Sequence, residues 1–465
     1  MPTTPTTTQQ LSGRLTRDQL RQAALTGELR SVLLAVVDTQ GRLKGKAYDA
    51  EYFVRHFVDG QSEAEMCGYV LATDIEMTPL DGLDLAGWES GFGDVRVAPH
   101  LASARTVPWL PHTALVFADA VTPDGNTALP VAPSTMLARQ LDLLADAGLS
   151  VKVGLETEFL VYQGTLAQAT AIGFRGLTPV TCDNRDYSLD QPAHLVRYTQ
   201  RLATLLRRAG SPIEAVKTEG APGQVEITLP YGDPVEAVRG QVLLKAAARA
   251  AADRMRLVPT FMAAPTTGVG SGLHLHLSLW DDGASRMATG DQPEELSEVG
   301  RGAVAGLLAA LPVLAPLWAP NVNSYKRFRP RSFAPTRYCW GRDNRSCAVR
   351  VVGHGPSLHL EVRLPGADSN AYLALAAAVA AMRHGIAAGL KPPAPVTGNG
   401  YRTTAGPQLP GNLGKAVELF ASSTLASTLL GEDVVHHYDT LARAELAAHE
   451  TRVTDLELVR GFAQT

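Results

Sequence analysis

Four short segments, far apart in the chain, share a two-residue alternation that dictates a sheet with one apolar face and one acidic face. In VKVGLETEFLVY, Val151, Val153, Leu155, Phe159 and Val161 fall on one side and Glu156 and Glu158 on the other, because successive strand side chains point to opposite faces. In GQVEITLP, Val225, Ile227 and Leu229 oppose Gln224 and Glu226, with Glu219 just upstream. In GLHLHLSLW, the leucines from Leu273 to Leu279 oppose His274, His276 and Ser278. In SLHLEVRLP, Leu358, Leu360, Val362 and Leu364 oppose His359, Glu361 and Arg363.

Taken singly, each segment fits a half-buried strand with a wet outer face. Wet faces are dressed in Lys, Thr, Ser and mixed charges, whereas these, with Glu219, gather five Glu and three His and almost no Lys. Carboxylates set side by side repel, so such a cluster requires a compensating cation. Oxygen ligands with one imidazole suit Mg²⁺ or Mn²⁺ better than zinc. Five carboxylates exceed the needs of one ion, which points to two ions, a polyphosphate and phosphoryl-transfer chemistry. The chain has neither a GxxxxGK[ST] loop nor a GxGxxG after a strand, so metal and arginine are expected to hold the phosphates. Arg327, Arg345, Arg350 and Arg363 are the candidates, since a guanidinium offers a planar fork to phosphate and carboxylate.

The remaining composition excludes other classes. A net charge of -4 over 465 residues leaves no basic footprint for nucleic acid or an anionic membrane. Cys67, Cys182, Cys339 and Cys347 lack the spacing of a disulfide framework or zinc site and read as reduced thiols in a cytosolic protein. Residues 1–10, Thr/Pro-rich and without an apolar core, are expected to be a disordered tail and not a secretory signal. The longest apolar run, 302–319, contains Pro312 and Pro316 and is expected to be a buried helix ending near them.

The fold class expected is α+β: a small N-terminal domain over 11–118 and a large domain over 119–465 with an antiparallel sheet and flanking helices. SVLLAVVDTQGRLKGKAY predicts a strand, a turn at Gln40-Gly41 and a second strand, and GYVLA and DVRVAP are expected to add strands to that sheet. Helical spacing predicts helices over 133–147, 193–209, 233–255, 296–311, 370–385 and 413–430, with two more over 434–450 and 454–462.

The motifs LETEF, EGAPGQVEI, GSGLHLHLSL, NSYKR, NRSCAVR and HLEVRLPGADSNAYLALAA, strung in this order, resemble the glutamine synthetase family across nearly the whole chain. The resemblance implies a β-grasp N-terminal domain followed by a catalytic domain. It implies that Glu158, Glu219 and Glu226 hold one Mg²⁺ or Mn²⁺, and that Glu156, His274 and Glu361 hold a second. Glu214, His276 and Ser278 then match nucleotide contacts, Arg345 and Arg350 bind phosphate, and Arg327, Arg363 and Gly270 hold glutamate. Arg345, Glu361 and Arg363 are the residues expected at the reacting groups. ATP would phosphorylate the L-glutamate γ-carboxylate and an amine would displace the phosphate. Family members assemble as stacked hexameric rings, here implying a dodecamer with sites between subunits.

Departures from the family pattern concern the amine. Cys67 falls in the N-terminal loop where ammonia-using members carry an acidic residue, and Phe333 falls where they carry a lid glutamate. Both losses remove partners of a small cation, and the ring makes the amine pocket more apolar. Val269 replaces a glutamate-binding asparagine and His359 a phosphate-binding arginine, and no adenylylation-type tyrosine motif marks the loop after Asn399. The pattern resembles the γ-glutamyl-amine ligases, which use ethanolamine or polyamines such as putrescine. The alternatives are an ammonia-using glutamine synthetase, with Glu63 or Glu65 standing in for the lost anions, and an inactive structural or regulatory relative.

Overall fold

The SVLLAVVDTQGRLKGKAY segment forms its expected hairpin, β1 (Ser31–Val37) and β2 (Leu43–Asp49), paired antiparallel. Asp38 shapes the turn by accepting from the backbone of Gln40 at 3.0 Å and Arg42 at 2.8 Å, and Gly41 supplies the positive φ. The computed structural model describes residues 11–464 apart from 61, 126 and 291; the expected tail, 1–10, lies outside the described residues. DVRVAP forms β4 (Asp94–Pro99), which pairs with β3 (Ala64–Cys67). GYVLA does not form a strand: Gly68–Leu71 is a 3₁₀ turn. Val70, Leu71 and Ala72 are buried in succession, so a short apolar run mistaken for a strand is a turn packed inward. β5 (Arg105–Thr106) and β6 (Thr113–Val121) complete a sheet ordered β2-β1-β6-β4-β3, in which β1 and β6 run parallel and β5 pairs with β6.

The second sheet collects the four alternating segments. Its strands are β7 (Ser150–Gln163), β8 (Ala215–Thr218), β9 (Gln224–Gly232), β10 (Leu257–Thr260), β11 (Leu273–Asp281), β12 (Ala284–Ser285), β13 (Trp340–Arg342), β14 (Val349–Val352) and β15 (His359–Val362). The order is β13-β14-β15-β11-β7-β9-β8, with β10 on β7 and β12 on β11; every pairing is antiparallel except β13 with β14. The apolar faces of β7, β9, β11 and β15 are buried in one continuous core, whose removal from water drives the folding of this sheet.

Helices cover that core at Pro133–Ala145, Ala193–Arg208, Pro234–Asp253, Glu298–Ala310 and Ala371–Ala387, close to the expected ranges. The single helix expected over 413–430 is two, Leu413–Ala421 and Thr424–Leu430, because Ser423 caps the second by accepting from Ala426. The Glu298–Trp318 stretch is long and apolar enough to cross a membrane, but 67% of its most apolar window is buried inside the molecule. Its α-helix gives way to a 3₁₀ turn at Leu311–Leu314, where Pro312 interrupts the hydrogen-bond ladder.

That helix meets Ala371–Ala387 through glycines. A Cβ on Gly306 would lie 2.1 Å from Ala381 O, and one on Gly385 would lie 2.2 Å from Gly302 O. Backbone cannot yield as a side chain does, so Gly306→Ala is expected to lower stability by about 3 kcal/mol. Urea unfolding followed by circular dichroism checks this. The turn after β1 is tied to the helix Ala371–Ala387 by Asn370, whose side chain donates to Asp38 O at 2.9 Å, and the Gly68–Leu71 turn to the helix Glu432–Glu450 by His437, which bonds Leu71 O at 3.0 Å.

Candidate active site

Strand register turns four scattered polar faces into one cluster. His274 on β11 lies directly across from Glu156 on β7, and Glu158 lies across from Glu226 on β9. On the other side of β11, His276 pairs with Glu361, which in turn lies across from Arg350 on β14. His274 Nδ1 stands 3.3 Å from Glu156 Oε2 and 3.6 Å from Glu361 Oε1, and its Nε2 stands 3.7 Å from Glu158 Oε1. One imidazole thus touches three carboxylates.

Charges on this face divide by neighbourhood. Burial pushes the Glu226 carboxyl up, and Glu156 and Glu158 push it further, to about 9. Burial and Glu158 likewise raise Glu219. Burial also acts to raise Glu361, but Arg363, His274, His276 and Arg350 outweigh it and hold this carboxylate at about 2. Glu156 is held below the usual range against burial by hydrogen bonds from His274 and His276. Burial and carboxylate repulsion thus prevail at Glu219 and Glu226, even with Lys217 beside them, whereas arginines and imidazoles prevail at Glu361.

Two overlapping groups could hold a divalent ion: Glu156, His274 and Glu361, and Glu158, Glu226 and His274, with one ligand atom from each residue of a group within 4.8 Å of the others. The donor set, carboxylates with a single imidazole, fits Mg²⁺ or Mn²⁺. The cradle is also shaped to leave room: a Cβ on Gly272 would meet His274 Nε2 and Arg327 Nη2, each at 2.7 Å. The Gly272 amide donates to Glu158 Oε2 at 2.8 Å and orients that carboxylate. His274 belongs to both groups and Glu219 to neither, whereas the sequence reading gave His274 to one and set Glu219 with Glu158 and Glu226.

The arginines fall in two sets. Arg327, buried at the end of the Val322–Arg327 turn, donates to Arg363 O at 3.2 Å and Leu364 O at 3.0 Å, and its guanidinium is lowered to about 10 by burial. It packs on Gly270, where a Cβ would lie 2.9 Å from Arg327 Cγ. Arg363 pairs with Glu361 and donates to Phe333 O at 3.3 Å. Arg350 donates to Glu361 at 2.8 Å and also pairs with Asp343, so it is neutralised from two sides. Arg345 is exposed and lines a cavity of about 720 Å³ with Phe333, Arg331, Arg342 and Tyr401.

Other expected residues sit further out. Ser278 accepts from Trp280 Nε1 at 2.7 Å and pairs with Tyr231, and Lys152 lies 3.4 Å over the Trp280 ring. Glu214 is exposed at the start of the β8 edge. His276 Nδ1 and His359 Nε2 are 3.0 Å apart, and His359 Nδ1 donates to Ser357 O, so His276 is the donor in that pair. Phe333 is 68% exposed with φ +57°, at the cavity rim. Cys67 closes β3 of the N-terminal sheet with its thiol on Phe92 O, away from this face within the chain. Val269 is partly buried beside Leu160 and Tyr162.

Sequence reasoning missed Lys217, Gln224 as a ligand holder, Tyr231 and Tyr401. Gln224 donates to Glu158 at 3.2 Å and Gly270 O at 2.8 Å, and Tyr401 donates to Ala334 O in the Phe333 loop at 3.2 Å. Lys217 carried a readable signal, since it stands two residues before Glu219 and therefore on its face.

Comparison with known proteins places this geometry. The glutamine synthetase catalytic-domain family matches residues 130–460. The chain is 41% identical over 446 residues to a gamma-glutamylethanolamide synthetase of Streptomyces coelicolor, covering 96% of this chain and 95% of that one. It is 31% identical over 437 residues to a glutamate–isopropylamine ligase of a Pseudomonas species, covering 92% and 94%. A solved structure of a GmaS/ADP complex superposes with a TM-score of 0.82 at 24% identity, over 95% of this chain and 99% of that one, which shows the shared fold.

Proposed function

The chain belongs to the glutamine synthetase family and is a carbon–nitrogen ligase, and from that premise we propose that it joins the L-glutamate γ-carboxylate to a carbon-bearing primary amine, ethanolamine foremost, in an ATP-dependent reaction. The observation that carries this reading is the full-length similarity to a ligase named for ethanolamine. Phe333 at the lid position supports it, because a ring cannot accept the proton of an incoming ammonium ion. Glu63, a possible substitute anion, is already paired with Arg96. Putrescine and other polyamines are the next candidates.

Arg327, Arg363 and the backbone at Gly270 bind glutamate. Its γ-carboxylate oxygen attacks the γ-phosphorus of ATP, the bond to the β-phosphate oxygen breaks, and ADP leaves. The amine nitrogen then attacks the γ-carbonyl of the glutamyl phosphate, phosphate departs, and the amide forms with loss of one proton. Arg345 and Arg350 face the transferred phosphate, while Glu214, His276 and Ser278 lie toward the nucleotide. A divalent ion at Glu156, His274 and Glu361, and another at Glu158, Glu219 and Glu226, would supply charge neutralisation at the phosphates. The working form is a cytosolic dodecamer of two hexameric rings, which light scattering of the purified protein tests.

Phosphate release from ATP and glutamate across ammonium, ethanolamine, isopropylamine, putrescine and spermidine tests the assignment. Ethanolamine is expected to exceed ammonium by about a hundredfold in kcat/KM; ammonium as best substrate would overturn the reading. Phe333→Glu, which restores a proton acceptor at the lid, is expected to raise ammonium use by about tenfold. Unchanged ammonium kinetics in that variant would remove Phe333 from amine selection.

A further inference from the structure

A cation of the protein's own stands inside the acidic cluster. Lys217 lies directly across from Glu226 in the β8–β9 register. Its ammonium contacts Glu219 and stands 3.5 Å from Glu226 Oε1. Tyr187 covers it from the outer side, with the ring centroid 4.5 Å from Nζ. The Lys217 side chain is 24% exposed and that of Glu226 only 8%, so this is no freely solvated surface pair.

Charge arithmetic gives this placement meaning. With all three deprotonated to receive a metal, Glu158, Glu219 and Glu226 carry three negative charges, and Lys217 offsets one of them. Glu361 in the neighbouring group already has Arg350 and Arg363 as counter-charges. Lys217 gives the Glu158–Glu219–Glu226 group a counter-charge of its own, as those arginines do for Glu361. Its ammonium occupies an oxygen on each of two carboxylates that would serve a metal, so the two cations compete for them.

We propose that Lys217 is a built-in counter-ion of the Glu158–Glu219–Glu226 group, setting that group's affinity for a divalent cation by competing for its oxygens. This rests on the metal reading of the cluster and is independent of the amine. The test is Mn²⁺ binding to the full-length, EDTA-stripped protein, followed by equilibrium dialysis and by the loss of the free Mn²⁺ paramagnetic resonance signal. Lys217→Met and Lys217→Gln are expected to bind Mn²⁺ about tenfold more tightly than the unaltered chain, the gain shrinking with salt. Lys217→Arg, which keeps the charge, is expected to match the unaltered chain. Unchanged or weaker binding in the neutral variants, with melting curves showing them folded, would overturn the counter-ion role. Should one neutral variant fail to fold, the other carries the comparison. Absence of Mn²⁺ binding by the unaltered chain would sink the metal reading and this proposal with it, whereas failure of the ethanolamine assignment would touch neither.

Discussion

Glu361→Gln is expected to lower phosphate release by about a thousandfold and to destabilise the protein by about 3 kcal/mol. Glu361 is fully buried and meets Arg350 at 2.8 Å, Arg363, and His274 at 3.6 Å. Glutamine keeps the shape but removes the charge, so both guanidinium groups remain buried around a neutral amide. The same change removes one ligand of the Glu156–His274–Glu361 group. Activity and stability therefore fall together, and added Mg²⁺ or Mn²⁺ does not restore either. Phosphate release at saturating metal and thermal unfolding check this pair of effects. A variant retaining more than about a tenth of the activity would exclude Glu361 from the reacting site.

Gly272→Ala is expected to do the opposite to the balance, sparing the fold while reducing kcat/KM by about a hundredfold. The added methyl would meet His274 Nε2 and Arg327 Nη2 at 2.7 Å. Both atoms end movable side chains, so the chain folds by swinging them aside. The same swing displaces the imidazole shared by both ligand groups and the guanidinium assigned to glutamate. The glutamate KM should rise and Mn²⁺ affinity fall, with the melting temperature nearly unchanged. A large stability loss without a change in Mn²⁺ affinity would show that the close approach serves packing alone.

Much of this site could be read before any coordinates. Glu156 and Glu158, Glu226, His274 and His276, and Glu361 are separated by long stretches of chain, yet each announces its face through alternation with buried Leu, Val and Ile. GYVLA shows where such reading stops: five residues hold too little periodicity to separate a strand from an inward-packed turn. The helix expected over 413–430 fails for a related reason, since a Ser–Ser pair that caps a second helix resembles a tolerable interruption of one.

Alternation is a local property of the backbone, and so the sequence alone determined which side chains share a strand face and that this face is acidic. It also carried the motif order by which the family is recognised. Pairing order and register depend on contacts between strands separated along the chain, His274 and Glu156 by 118 positions, and only the tertiary structure decided them. It put His274 between Glu156, Glu158 and Glu361, so that one imidazole serves both ligand groups. It set Lys217 opposite Glu226, and it brought Gly272 so close to His274 and Arg327 that an added methyl must displace both. Charge balance and close approach are sums over neighbours in space, and those neighbours are chosen by the packed sheet and not by the order of the chain.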